Sequence, residues 1–381
     1  MDSADRMRIA LERGCPDKVP LYWVHDERYV IKAQNKTVRD YITGTAEEMS
    51  GILENGFYLH PCDGCLVEGM YRYDFRDHNT LEDIQKDSRG DYHIFCNTDT
   101  GERYKMDEGG NRYSIDGRPC QDMPSSFESL ITCRDDISRL VPKNQPPNFD
   151  GEFGLFCAAR RLAARNPGHH FSLELTTPLV RAVQRCGGYE AGLCLLQDEP
   201  NLMMALMEAE MELEMRKMPA IVEAGAKSVY LTSFFTGSDT IAPDIFRRMV
   251  LPLETEMIKQ IHSLGLFVIY WFLGNMEPLL QDFRTIPFDA LAPEQPRKGY
   301  GVSYKTLREV LGHVCLMAHT REEDMIYNKQ DSMRSYFDTQ YQEAGQDGAF
   351  IAGVTITPEN ANPEALRNYA SIVEEYTYQK S

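Results

Sequence analysis

The second half of this sequence alternates strand-sized apolar runs with amphipathic helical segments, and this alternation constrains the fold more than any other feature. From residue 171 onward, each apolar run is followed by a segment with a helical apolar period. The runs are FSLELTTP, AKSVYLTSFF, LFVIYWFL, FDALAP, VCLMAH and AFIAGV. Six strand–helix pairs in succession predict an α/β fold with a parallel sheet, and they favour a closed (β/α)8 TIM barrel over an open sheet.

The segment before residue 151 has a different pattern of apolar and polar residues. A charged amphipathic helix at about residues 3–13 leads into the strand PLYWV and forms an N-terminal extension. Residues 87–119 alternate polar and apolar side chains around D-T-G and G-G turns, which predicts an inserted β-hairpin or small antiparallel sheet. A linker-like passage follows at residues 140–151. We expect one barrel domain over residues 1–381 that carries this insertion.

Charge and composition exclude several classes of partner. With 58 acidic and 40 basic residues, the formal net charge of −18 repels a nucleic acid backbone. No apolar run is long enough to span a membrane, and the charged N-terminus does not resemble a signal peptide. The ten cysteines lack the spacing of a disulfide framework, which favours reduced thiols and a cytoplasmic location. We interpret the pair Cys62 and Cys65 of CDGC as two thiols in a turn.

The active site of a TIM barrel lies at the C-terminal ends of its strands, so residues that end the predicted strands are the candidates. They are Glu174, Tyr230, Thr232, Ser238, Asp239, Tyr270, Trp271, Asn275, Glu277, Glu294 and His319. A second group follows the first strands and is more typical of structural polar residues: His25, Asp26, Arg28, His60 and Glu68. The sequence has no Walker loop, GxGxxG or GxSxG elbow, which excludes P-loop NTPases, Rossmann dehydrogenases and α/β-hydrolases.

Glu277, Glu294 and His319 come from three successive βα loops and can therefore converge on one point. Two carboxylates and one imidazole with an open position are a ligand set for a divalent metal. Each residue also has a structural alternative. Glu277 suits the first turn of a helix, Glu294 can pair with nearby basic side chains, and His319 can cap a helix. Spacing alone leaves both interpretations open.

Several passages resemble the uroporphyrinogen decarboxylase superfamily. They include RMRIALERGCPDKVPLYW, GGYEAGLCLLQDEPNLMMALMEA and AGVTITPEN, and the resemblance extends from about Arg8 to Tyr376. It implies a (β/α)8 barrel with one of two activities. One is decarboxylation of the acetate arms of a porphyrinogen; the other is methyl transfer to or from a corrinoid protein.

Two branches of that superfamily fit poorly. The decarboxylases carry an arginine-rich stretch after the first strand and an aspartate in an FDSW-like strand end. The corresponding stretches here are WVHDERYV and YLTSFF, which leave only Arg28 to bind an acidic arm. The thiol-methylating branch implies zinc ligands at positions that are Trp271, Leu273 and Val354 here, so that zinc site is absent.

The remaining branch, the ether-cleaving component of anaerobic O-demethylases, implies a zinc ion held by two glutamates and a histidine. Glu277, Glu294 and His319 match these types in order, with a looser spacing. The implied function is transfer of a methyl group from a small aromatic methyl ether to the Co(I) corrinoid, a cobalamin, of a separate carrier protein. Zinc would act as a Lewis acid on the ether oxygen.

The same resemblance suggests roles for the other candidates. Glu174, Tyr230 and Asp239 are the expected catalytic residues, and the expected substrate-binding residues are His25, Tyr270, Trp271 and Asn275. Three alternatives stay open: a corrinoid-dependent methyltransferase for another one-carbon donor, a uroporphyrinogen decarboxylase-like protein, and a non-catalytic barrel that docks a corrinoid protein. The sequence also leaves the oligomeric state open, a homodimer included.

Overall fold

The computed structural model describes residues 1–67, 79–87, 90–98, 101–117, 129–141, 154–296, 299–312 and 314–378. Its strands are β1 (Leu21–His25), β2 (Gly64–Leu66), β3 (Asn79–Asp87), β4 (Gly90–Asn97), β5 (Arg103–Met106), β6 (Arg112–Ser114), β7 (His170–Thr176), β8 (Ser228–Ser233), β9 (Phe267–Phe272), β10 (Ala290–Pro293), β11 (Cys315–Met317) and β12 (Phe350–Thr357). Eight of them form a closed parallel barrel in the order β1-β12-β11-β10-β9-β8-β7-β2, and β2 pairs with β1. The predicted TIM barrel is confirmed.

Helices surround the barrel and connect its strands. Those in the described part of the chain are α1 (Ser3–Leu11), α2 (Glu27–Ala33), α3 (Val38–Thr43), α4 (Ala46–Phe57), α5 (Arg134–Leu140), α6 (Gly154–Arg165), α7 (Pro178–Arg185), α8 (Tyr189–Asp198), α9 (Pro200–Met215), α10 (Met218–Glu223), α11 (Pro243–Ile245), α12 (Leu251–Ser263), α13 (Leu280–Phe283), α14 (Tyr304–Leu311), α15 (Glu322–Tyr327), α16 (Gln330–Ala344) and α17 (Pro363–Glu374). None of these is long and apolar enough to cross a membrane.

Strand β9 illustrates why the barrel strands are apolar along their whole length. Val268, Tyr270 and Phe272 pack into the layer between the strands and the helices, while Ile269 and Trp271 belong to the cluster inside the barrel. Successive strand residues point to opposite faces, and both faces of a barrel strand are covered. A continuous apolar run is therefore the expected pattern for such a strand.

The N-terminal extension closes one end of the barrel. Helix α1 contacts β2, β7 and β12, and its residues Met7 and Leu11 join the cluster of side chains inside the barrel. Arg6 donates to both carboxylate oxygens of Asp17 at 2.7 and 3.0 Å, and it also pairs with the buried Asp63. These ion pairs fix the helix against the N-terminal ends of the strands, opposite the end where an active site is expected.

The predicted insertion is an antiparallel sheet with the order β3-β4-β5-β6. The sheet begins at Asn79, before the predicted start at residue 87, so the predicted bounds leave out most of β3. The inner face buries Phe95, Tyr104 and Met106, and the guanidinium of Arg39 on α3 donates to the carbonyl of Asp91 at 2.6 Å. The sheet is thus attached to α3. Most of the linker-like passage, from residue 142 on, lies outside the described residues.

Two predicted helices are interrupted at prolines. The helical period of residues 201–225 predicts one continuous helix, but the structure forms α9 and α10, with a break between Met215 and Met218. Pro219 has no N–H to donate to the preceding turn, so the helix cannot continue without a break. Likewise α11 reaches α12 through a π-helical turn at Phe246–Val250, directly before Pro252. Sequence period alone did not show either interruption.

His170 at the start of β7 makes the stability of the barrel depend on pH. Its Nε2 lies 2.8 Å from the hydroxyl of Ser228, and burial lowers the pKa of His170 from 6.5 to about 3. The unfolded chain therefore binds a proton that the folded chain does not, between about pH 6.5 and pH 3. The stabilisation from this residue is complete above that window and is lost as the pH falls through it.

We expect His170→Gln to weaken the pH dependence of folding. The wild type should lose about 2 kcal/mol from this group between about pH 7.5 and about pH 5, and the variant should not. Denaturant titrations at both pH values measure the difference in the free energy of unfolding. An identical loss in both proteins would contradict this assignment.

Candidate active site

Four side chains meet inside the barrel at the C-terminal ends of β7, β8 and β9. We call Glu174, Tyr230, Thr232 and Trp271 the mouth cluster. The strand register pairs Glu174 with Tyr230 and Thr232 with Trp271, so alternation places all four on the inner face. The Thr232 hydroxyl donates to Glu174 Oε1 at 2.6 Å. The rings of Tyr230 and Trp271 lie 5.8 Å apart, tilted by 47°.

The carboxyl group of Glu174 is an unusual acid. Burial raises the pKa of Glu174, while the hydrogen bond from Thr232 and the charges of Arg181 and Lys217 act in the opposite direction. Its neutral form therefore persists to higher pH than that of an exposed glutamate. A carboxyl group of this kind can give a proton to a bound molecule and take it back.

Trp271 contributes an aromatic face and a hydrogen-bond donor to the same cluster. Its ring is partly exposed, but its indole nitrogen is buried and has no hydrogen-bond partner among the described residues. An unsatisfied buried donor costs about 1–3 kcal/mol, so such groups usually face a ligand or a water molecule. The mouth cluster therefore combines the indole N–H of Trp271, an aromatic wall and the carboxyl group of Glu174.

At the rim above the cluster, two carboxylates hold the Gly274-Asn275 turn at the end of β9. Asp239 Oδ1 accepts from the backbone N–H of Asn275 at 2.6 Å, and Glu294 Oε2 accepts from that of Gly274 at 2.7 Å. The Tyr300 hydroxyl lies 3.1 Å from Asp239 Oδ2 and 3.2 Å from Glu294 Oε2. We call Asp239, Gly274, Asn275, Glu294 and Tyr300 the rim clamp.

Glycine is required in this clamp for a geometric reason. Gly274 has a φ of 124°, and a Cβ built on it would lie 2.8 Å from the Cα of Gly237 in the neighbouring loop. The loops after β8 and β9 therefore touch through their backbones, and Asp239 bonds across this contact. Asp239 and Glu294 thus have structural partners, as does Asn275, whose side-chain oxygen accepts from the N–H of Glu277 at 3.1 Å.

The three expected zinc ligands are not brought together. Glu277 is exposed at the start of a 3-10 turn, Glu294 belongs to the rim clamp, and buried His319 has its Nδ1 3.0 Å from the Tyr336 hydroxyl. Within the described ranges no three His, Cys, Asp or Glu side chains are arranged to hold a metal ion. The residues assigned to zinc from the sequence do not fit it.

Tyr270 does not line the mouth. It points away from the lumen, is fully buried, and its hydroxyl donates to Glu254 on α12. Adjacent strand residues point to opposite faces, so Tyr270 and Trp271 cannot form one aromatic wall. The expectation that both bind substrate is corrected for Tyr270.

His25 also faces the layer between barrel and helices. It stacks on Trp23 at 5.5 Å, packs near Tyr29 and His60, and its Nδ1 lies 2.9 Å from the Thr357 hydroxyl. Burial lowers the pKa of His25 to about 3, so the ring is neutral at physiological pH. The expected substrate contact of His25 is therefore not supported by its position. Glu68 lies outside the described residues.

Sequence reasoning missed charged residues that lie behind β7. Glu210 and Glu214 occur in helix α9, whose Met-rich sequence is typical of plain core, yet both are buried and paired with basic side chains. Their spacing of four residues on the apolar face was the signal that could have found them. Tyr300 was also missed, because nothing near it in the sequence marks a strand end.

Comparison with known proteins agrees with the fold. The family model described as uroporphyrinogen decarboxylase (URO-D) matches residues 121–376. A methyltransferase from Methanosarcina mazei is 15% identical, with a TM-score of 0.69 over 98% of this chain and 99% of its own. A B12-independent methionine synthase from Shewanella sp. W3-18-1 is 9% identical, with a TM-score of 0.52 over 94% and 96%. At these identities the two structures show a shared fold. No curated protein matches the sequence.

Replacement of Glu294 and Glu277 by alanine should have different effects. Glu294→Ala removes the acceptor for the Gly274 N–H, so we expect the free energy of unfolding to fall by about 1–3 kcal/mol. Glu277→Ala should change it by less than about 0.5 kcal/mol, since the side chain is exposed. Neither change should alter the metal content of the purified protein, measured by elemental mass spectrometry. Loss of stoichiometric zinc in both variants would restore the ligand set expected from the sequence.

Proposed function

The chain belongs to the uroporphyrinogen decarboxylase family, and we propose that it is a methyltransferase rather than a decarboxylase. The proposed reaction moves a methyl group from a small methyl ether to the corrinoid of a separate carrier protein. The observation that carries this proposal is the mouth cluster, in which a half-buried carboxyl group with a raised pKa shares the inner face of the barrel with Trp271. The fold shared with the Methanosarcina mazei methyltransferase is consistent with it.

A porphyrinogen with several carboxylate arms is a poor match for this mouth. The eight barrel strands contain no lysine or arginine, and the mouth cluster itself carries an acidic group. Arg28 and Lys32, which follow the first strand, are exposed and line a cleft of about 540 Å³ whose lining also includes the acidic Asp26, Glu322 and Glu359. A polyanion would meet repulsion inside the barrel, whereas a small neutral molecule would not.

The mouth cluster is suited to breaking a methyl ether. When bound, the corrinoid of the carrier supplies the nucleophile for the methyl group. As the C–O bond breaks, its electron pair goes to oxygen, and that oxygen takes the proton of the Glu174 carboxyl group. Thr232 orients Glu174 through its 2.6 Å hydrogen bond. Proton transfer from a positioned acid typically accelerates such a step by 10²–10⁴-fold.

The remaining groups of the cluster bind the donor. The indole N–H of Trp271 can donate to the ether oxygen, and the rings of Trp271 and Tyr230 offer an aromatic face, which favours an aromatic ether. Zinc has no part in this mechanism, because Glu277, Glu294 and His319 form no metal site in the described part of the chain.

A cationic, methylamine-like donor is the second candidate. Ionised Glu174 beside the rings of Tyr230 and Trp271 would suit a methylated ammonium group, which leaves as a neutral amine without a proton. The two candidates require opposite protonation states of Glu174. Turnover of an ether should fall as the pH rises through the pKa of Glu174, whereas turnover of a cationic donor should rise.

Glu174→Gln tests the proposal most simply. We expect kcat for an aryl methyl ether to fall on the order of 100-fold, since the amide has no proton to give, while donor binding is retained. Methylation of free cob(I)alamin, followed by absorbance under anaerobic conditions, measures the rate. Glu277→Gln serves as the control for loss of a rim carboxylate and should keep wild-type activity. Full activity of Glu174→Gln at all pH values would contradict the proposed role.

A further inference from the structure

A group of three charged side chains, two of them buried and one partly exposed, lies behind the mouth cluster, between α7 and the end of α9. We call Arg181, Glu214 and Lys217 the ion cluster. Glu214 Oε1 lies 2.9 Å from Arg181 Nε and 2.6 Å from Lys217 Nζ. Glu214 is 3% and Lys217 8% exposed. Two basic side chains therefore share one carboxylate, and with all three groups ionised their charges sum to one positive charge.

Packing alone does not account for the ion cluster. Burial of an ion pair costs several kcal/mol per ion, and well-packed apolar residues of similar volume often stabilise a protein equally well or better. Helix α9 is otherwise rich in methionine and leucine, so an apolar side chain at position 214 would fit its composition. The position of the charges requires another explanation.

The ion cluster is connected to Glu174 through the end of β7. Glu214 Oε2 accepts from the backbone N–H of Thr176 at 3.4 Å, two residues beyond Glu174 on the same strand. Thr176 pairs with Thr232, which donates to Glu174. Burial of Glu174 opposes its ionisation, whereas the charges of Arg181 and Lys217 favour it.

We propose that the ion cluster sets the charge state of Glu174, with Lys217 and Glu214 as positioning residues that keep this acid balanced between its neutral and ionised forms. This inference rests on the proposed function for its catalytic meaning. Lys217 and Arg181 favour the carboxylate, Glu214 favours the neutral acid, and Thr232 favours the carboxylate through its hydrogen bond. Besides these, the phenol of Tyr230 is the titratable group that faces Glu174 across the strand pair.

Removal of a positive charge and removal of a negative charge from the ion cluster should shift the pKa of Glu174 in opposite directions. Lys217→Met removes a positive charge and should raise the pKa by roughly one unit, whereas Glu214→Gln should lower it by a similar amount. The pKa is measured from the ¹³C shift of the Glu174 carboxyl carbon in glutamate-labelled protein, assigned with Glu174→Gln. Arg181→Gln, at a position with 29% of the side chain exposed, provides a second test of the upward shift if Lys217→Met fails to fold.

Glu210→Gln is the matched control. Glu210 pairs with Arg185 at 2.6 Å on the same two helices, one turn away from the Glu214 pair. Its removal also takes a buried carboxylate from α9 and should leave the pKa of Glu174 unchanged. Equal shifts in all variants, or none in any, would overturn the inference, because a purely structural cluster predicts no dependence on the sign of the charge.

Turnover provides the second readout. The pH at which ether demethylation is half-maximal should move with the carboxyl titration, upward in Lys217→Met and downward in Glu214→Gln. If the pKa of Glu174 shifts in these variants but the pH–rate profile does not, the catalytic role of Glu174 is overturned. The wild type could transfer no methyl group while the pKa of Glu174 still shifts in opposite directions in Lys217→Met and Glu214→Gln. That result would refute the proposed function and leave the electrostatic link intact.

Discussion

Successive residues of a strand point to opposite faces of the sheet, and in this closed barrel one face is the lumen while the other is covered by helices. The rest of the structure depends on this constraint. It makes the strands apolar on both faces, and it decides which polar residues reach the mouth. Glu174, Tyr230, Thr232 and Trp271 share the inner face because the parallel register aligns their positions. Tyr270, one residue from Trp271, is directed to the helix layer.

The carboxylates near the mouth differ in their hydrogen-bond partners. This difference distinguishes carboxylates with a structural role from the one with a proposed catalytic role. Asp239 and Glu294 accept backbone N–H groups of a tight turn, which keeps the loops after β8, β9 and β10 together. Buried Glu254 accepts from Ser233 and Tyr270, and burial raises the pKa of Glu254 to about 7. Glu174 differs because it lies on the inner face and its hydrogen bond comes from a neighbouring strand. Under the proposed function, Glu174 is the carboxyl group that contacts the bound methyl donor.

The sequence predicted the barrel well because period and length are local properties, and the closed strand order agrees with the six strand–helix pairs recognised in the second half. It also identified Glu174, Tyr230 and Trp271 as residues at strand ends. The face that each residue occupies was not predictable, because a one-residue change in register reverses it. For this reason Tyr270 and His25 were misplaced. Whether Glu277, Glu294 and His319 converge depends on loop conformation, which is not a local property of the sequence. In the structure, Glu294 accepts a hydrogen bond from the backbone N–H of Gly274.

The most direct test of the central claim is the fate of the methyl group. An aryl methyl ether with a deuterated methyl group is incubated anaerobically with the purified protein and cob(I)alamin, and both products are identified by mass spectrometry. The account predicts trideuteromethyl-cobalamin and one equivalent of the free phenol, in amounts that depend on the protein. Carbon dioxide release from a porphyrinogen carboxylate, without methyl transfer from the ether, would contradict it.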